Sequence, residues 1–163
     1  MENNINEEKY SEFISLLELK KIDVESIKSN KNVNFPSKKQ SLDIAIAHEV
    51  EKAKQVDEEI IMPVYFKVKA FTNKNNKDLN YEDISSQDTL FTIELRFNVS
   101  YFFDISEVNT RDIIFKYTDV LEVFAERNVL LNVWPYIRAN VSDLTSKMGL
   151  PPLVLPLKKT RLF

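Results

Sequence analysis

His48 is the only histidine in the chain, cysteine is absent, and Gly149 is the only glycine. One imidazole rules out a catalytic or metal-binding pair of histidines, and the lack of thiols removes disulfides and thiolate metal sites. His48 stands in the alternating run Leu42, Ile44, Ile46, His48, Val50, where a half-buried strand histidine is the favoured reading. A catalytic role would need a polar pocket shared with Glu49 or Glu94. The carboxylates of Asp57-Glu58-Glu59 and Glu7-Glu8 lie in polar stretches, whereas acid/base catalysis needs two environments that drive their pKa values apart. A single glycine cannot build a GxGxxG or GxxxxGK[ST] loop, since each needs several residues that let backbone amides approach phosphate. No enzyme activity and no cofactor or metal are expected.

The residues that remain must act through surface and shape. The chain has 163 residues, 44% hydrophobic and 29% charged, with eleven phenylalanines, which suits a single domain over residues 1–163 with a buried core. Residues 1–9 read as a flexible N-terminus and 157–163 as a short C-terminal tail. A net charge of −3 and a pI near 5.3 leave no basic stripe to displace counterions from phosphate, so no nucleic-acid partner is expected. The start, MENNINEEKY, is acidic and polar, unlike a signal peptide, and no window approaches a membrane span. The expectation is a cytoplasmic protein without membrane insertion.

The clearest strand runs from Thr89 to Phe103, where Phe91, Ile93, Leu95, Phe97, Val99, Tyr101 and Phe103 alternate with Thr92, Glu94, Arg96, Asn98 and Ser100. A second runs from about Ile60 to Phe71, with Val64, Phe66, Val68 and Ala70 on one face; Pro63 belongs near its start or at an edge. Between them lies the polar, asparagine-rich NKNNKDLNYEDISSQ, a mobile loop that Tyr81 would pin. Ser41 to Lys54 forms another strand, passing through Gln55-Val56-Asp57-Glu58 as a hairpin. The first element mixes signals: Tyr10, Phe13, Ile14 and Leu17 are helically spaced, whereas Leu17, Leu19, Ile22 and Val24 alternate with a slip at Lys20-Lys21. It reads as one strand with a bulge.

After Asp104 the period lengthens, and Leu130, Trp134, Ile137, Val141, Leu144 and Met148 recur in steps of 4, 3, 4, 3, 4. This seam can cover the protein's own sheet or meet a partner subunit, and Leu131 and Val133 offer a second face. Pro135 falls in the helix's first turns, where a lost donor costs least. Gly149 suits a left-handed C′ residue, with Leu150 as the apolar C″ contact of a Schellman cap. Pro151-Pro152 forbids continuation, so the chain beyond must be extended, presenting Leu153, Val154 and Leu155.

Trp134-Pro135-Tyr136-Ile137-Arg138, with Met148-Gly149-Leu150-Pro151-Pro152-Leu153-Val154-Leu155-Pro156 ten residues on, resembles the SecB family of export chaperones. The first segment is similar to that family's aromatic-Pro-Tyr-x-Arg helix motif, the second to its Gly-x-Pro-x-Leu-x-Leu-x-Pro exit, and the order of elements fits over residues 12–157. The resemblance implies an α+β fold: a four-stranded antiparallel sheet, a long helix packed on it, an extended proline-rich exit and a truncated second helix. The strands lack the family's glycines. Of the acidic patch that docks the SecA motor, only Asp23 and Glu94 have counterparts here, while Thr92 and Ile27 stand at other patch positions.

The resemblance further implies an ATP-independent holdase that serves protein export or protects an antitoxin, with unfolded or nascent polypeptides as clients. Its partners would be a SecA-type motor or an antitoxin. The expected assembly is a homotetramer, a dimer of dimers joined through Leu130, Trp134, Ile137, Val141, Leu144 and Met148. Client contacts fall on Val33, Phe35, Tyr65, Phe71, Leu153 and Leu155, and partner docking on Asp23 and Glu94. The competing reading is a structural or adaptor oligomer that buries all its apolar surface and keeps no groove.

Overall fold

Strict alternation from Thr89 to Phe103 forces one side of that segment into a core and the other toward water, and the burial follows it. Ile93, Leu95, Phe97, Val99 and Phe103 are fully buried, while Thr92, Glu94, Arg96 and Asn98 are half-exposed. In the computed structural model, which describes residues 6–32, 42–72, 79–107 and 112–158, this segment is β5 (Thr89–Phe103). The other strands are β1 (Leu17–Lys31), β2 (Asp43–Val50), β3 (Lys54–Val56) and β4 (Glu59–Phe71). All pairings are antiparallel in the order β1-β5-β4-β2, and the short β3 pairs with β4 beyond the end of β2. The polar loop between β4 and β5 contributes a single helical turn, Tyr81–Asp83, whose Tyr81 ring lies 4.1 Å from the Lys69 ammonium.

Pro63 sits in a central strand, and the sheet is interrupted to suit it. β2 leaves β4 at the Val50–Val64 pair and β3 rejoins at Lys54–Ile61. The Pro63 carbonyl accepts from Glu51 N, so the missing N–H faces the same gap, where no ladder donor is required. The turn from β3 to β4 is two residues long and sets Asp57 at φ 53°, a left-handed conformation that a short polar side chain tolerates.

The opening segment is a helix followed by a strand, not one bulged strand. Asn6 caps α1 (Glu7–Ser15) by accepting from Lys9 N at 3.1 Å, and Glu7 and Glu8 complement its positive end. The helix thus begins inside the nine residues read as a flexible end. Phe13 explains why helical spacing wins there: its ring lies 4.9 Å from Tyr117, 5.4 Å from Phe124 and 5.9 Å from Phe103. The slip at Lys20 is a true bulge in β1, with a second at Glu25, and both keep Leu19, Ile22, Val24 and Ile27 on one face.

Beyond β5 come α2 (Ile113–Lys116), α3 (Thr118–Phe124), a π-helical segment (Ala125–Val129) and α4 (Leu130–Lys147). From Thr118 to Lys147 the helix is continuous, so Pro135 lies in its interior and not in its first turns. α4 lies on the face of β4 and β5 that carries Phe66 and Tyr101; the Trp134 ring meets Phe66 edge-on at 5.8 Å, and Asn132 Nδ2 donates to Tyr101 OH at 2.9 Å. The helix ends as expected: Gly149 has φ 73°, its N–H donates to Ser146 O, and Leu150 N donates to Thr145 O.

Candidate functional site

The seam residues take the inward face of α4. Leu130, Trp134, Ile137 and Val141 are buried inside the subunit, and only Leu144 and Met148 keep partial exposure. The reading in which this seam covers its own sheet is therefore the one the packing realises; four of the six side chains have almost no surface left for a second subunit.

α4 is narrower than the sheet beneath it, so apolar side chains on the helix-bearing face emerge on both of its flanks. On the β1 flank, Leu19, Val24 and Ile27 pair with the buried Tyr101, Phe97 and Leu95, yet remain 45%, 46% and 45% exposed. Among the described residues β1 is also an edge strand, with no strand paired to its outer side. On the β2 flank, Ile44, Ile46 and His48 pair with Ala70, Val68 and Phe66, and Leu42 and Ile44 are exposed.

The exit segment closes part of the β2 flank. It leaves α4 at Gly149 and runs back along the helix, held by Leu153 N donating to Thr145 Oγ1 at 2.9 Å, Arg138 Nε donating to Leu155 O at 2.8 Å, and Trp134 Nε1 donating to Pro156 O at 2.9 Å. Lys158 Nζ then reaches His48 Nε2 at 3.1 Å. Thr145 is fully buried and donates to Val141 O, so its hydroxyl joins helix to exit segment. An extended backbone turns alternate residues to opposite sides. Leu155 is fully buried and Leu153 half-buried, while Val154 and Leu157 are 67% and 69% exposed.

These exposures correct the client-contact expectations. Leu155 has no surface left to bind anything, and the apolar positions the exit segment offers are Val154 and Leu157. The sequence showed the extended segment but not which of its sides the core would take. Tyr65 and Phe71 stand on the sheet's other face, away from α4. Phe71 is buried in a small second core with Ala45 and Ile84, and Tyr65 OH donates to Glu94 Oε2 at 2.9 Å. Val33 and Phe35 lie outside the described residues.

Asp23 and Glu94 share that outer face, as their pairings with Asn98 and Lys28 show. Asp23 pairs with Lys21 at 2.7 Å, and Glu94 accepts from Tyr65. Arg96 joins Glu51 at 2.9 Å and Glu25 at 3.2 Å, and Lys67 and Lys69 stand beside Tyr65 and Tyr81. The face is a laced mixture of charges, not an acidic patch. It also carries Glu49, opposite Tyr65, so neither Glu49 nor Glu94 reaches His48 on the α4 side. Partial burial, followed by the positive charge of Lys158, holds the His48 pKa below the ordinary histidine range. Among the described residues no group of His, Cys, Asp and Glu is placed to hold a metal ion, and no helix is long and apolar enough to cross a membrane.

In sequence the chain matches no family model and no curated relative. In three dimensions it superposes on a SecB-like chaperone from Mycobacterium tuberculosis, Rv1957, in complex with a ChAD peptide from the Rv1956 HigA1 antitoxin. The TM-score is 0.71 at 15% identity, covering 95% of this chain and 99% of that one. A protein of unknown function from Streptococcus agalactiae gives a TM-score of 0.35 at 8% identity, covering 86% and 97%, which is too low to bear on the fold. An antiparallel sheet in the order β1-β5-β4-β2, a long helix along one face and an extended exit returning beside it are the fold of the SecB-like chaperones.

Proposed function

We propose that this protein is an ATP-independent chaperone that holds non-native polypeptides on the apolar surface flanking α4. The observation that carries the reading is that aliphatic side chains on the helix-bearing face stay in solvent on both flanks, in a fold shared with a SecB-like chaperone bound to an antitoxin peptide. Exposed apolar area gains roughly 25 cal/mol per Å² when covered, and unfolded chains supply apolar segments that native ones have buried. Binding the unfolded state alone shifts folding by mass action and needs no nucleotide.

The two flanks suit different occupants. The β1 flank combines an apolar strip with a strand edge fifteen residues long that no other described strand pairs, a surface that fits a second copy of the chain. The outward face of α4, with Tyr136 48% exposed, is then free to join two such pairs into a homotetramer. The β2 flank, with Leu42, Ile44, Val154 and Leu157, is the client side. In the competing reading, a sealed adaptor oligomer would cover this surface as well, and the aggregation test below separates the two.

Between the two partner classes, the outer sheet face favours the antitoxin-type client over a SecA-type motor, because Glu94 and the carboxylates beside it are engaged by Tyr65 and Arg96. Cytoplasmic action fits the absence of cysteine. The test is light scattering from an aggregating client without nucleotide. Suppression near a one-to-one ratio with the assembled chaperone supports the reading, and unaltered aggregation at excess chaperone overturns it.

A further inference from the structure

Among the described residues four side-chain contacts fasten the exit segment, and three of them are indifferent to pH near neutrality: the Thr145 hydroxyl, the Arg138 guanidinium and the Trp134 indole. The fourth is the contact of Lys158 Nζ with His48 Nε2 at 3.1 Å. An ammonium group has only donors, so this contact attracts only while Nε2 of the imidazole carries a lone pair. A proton on that nitrogen sets two cations against each other with no acceptor between them. The Lys158 ammonium also stands 5.7 Å from the Trp134 ring centroid, so the three side chains form one cluster at the end of the strap.

We propose that the Lys158–His48 contact is a pH-sensitive latch, which holds the end of the exit segment against the β2 flank when His48 is neutral and releases it when His48 is protonated. The neighbours of His48 reinforce the switch. On β4, its partner Phe66 and the flanking Val64 and Val68 are apolar; on β2, Ile46 and Val50 share its face, while Glu49 points to the other side. From the exit segment comes Lys158, while Trp134 and the cation Arg138 of α4 bond to Pro156 O and Leu155 O of that segment. The only side-chain charge that shifts the His48 titration is that of Lys158, and it acts in the same direction as burial. The sign follows: with the folded-state pKa below the ordinary value, the closed state gains stability when His48 is neutral and loses it as pH falls through the histidine range. In the chaperone reading, on which this consequence alone rests, release frees the chain beyond Pro156, with the exposed Leu157, to meet a client in acid.

Trp134 is the only tryptophan and bonds to the strap, so its emission reports the latch without any client. Emission is followed from pH 8 to pH 5 for the full chain, for His48→Gln and for Lys158→Met, with far-UV circular dichroism at each pH to confirm that the fold persists. The expected result is a red shift of the natural protein's emission maximum, with a midpoint below about 6.5, and no such transition in either variant. A flat curve for the natural protein, or a transition that survives in a folded variant, overturns the latch. Neither outcome touches the aggregation assay, which tests the chaperone reading separately.

Discussion

Val154 and Leu157 are the exposed large aliphatic side chains of the described exit segment, and their removal yields a calculable loss. They are 67% and 69% exposed. Fully burying an aliphatic side chain gains about 1.5–3 kcal/mol, so a client that covers the remaining two thirds gains about 1–2 kcal/mol from each, about 2–4 kcal/mol in all. Ordering the client consumes part of any such gain, which favours the lower end. At about 1.4 kcal/mol per decade, Val154→Ser with Leu157→Ser therefore weakens binding by about 30-fold. The assay is fluorescence anisotropy of a labelled, permanently unfolded polypeptide titrated with chaperone. Because both side chains point away from the core, stability should change by no more than about 0.5 kcal/mol, which urea denaturation checks. Unaltered affinity with unaltered stability would refute the assignment of the β2 flank to clients.

Other substitutions probe the scaffold. Thr145→Val keeps the side chain's volume but strips Leu153 N of its acceptor, and the expected loss is about 1–3 kcal/mol in urea denaturation. Gly149→Ala meets nothing within 4 Å, so its cost of about 1 kcal/mol comes only from holding φ 73° with a Cβ, and a much larger loss would contradict the cap geometry. Val24→Glu with Ile27→Glu places charge on the β1 strip; sedimentation at several concentrations should show a shift to smaller species with the fold intact.

Much of the fold was legible because burial imposes a period. β5 was readable to its ends from alternation alone, the bulge at Lys20 from the slip in that alternation, and the helix end from a glycine followed by two prolines. What local pattern withholds is the identity of the covering partner. The 4-3 recurrence in α4 marks an apolar face without saying whether a sheet or a second subunit lies against it, and here the sheet does. Phe13 belongs to a helix because of the rings of Tyr117 and Phe124, and Tyr10 because of Asn128 and Arg127, all more than a hundred residues away and outside any window over residues 7–15. The site is the harder part for the same reason. Period two makes Leu153 and Leu155 one side of the exit segment and Val154 the other, but only packing on α4 decides which side is wet. The His48–Lys158 contact spans 110 positions and has no local signature.

In the proposed function a non-native chain lies along the exit segment of a folded subunit. The most direct test of this placement is a photo-crosslinking amino acid at position 154, irradiated with a client in its unfolded and then its native form. Crosslinks to the unfolded client and none to the native one are expected. Crosslinks only between copies of this chain, or equal crosslinking to both client forms, would contradict it.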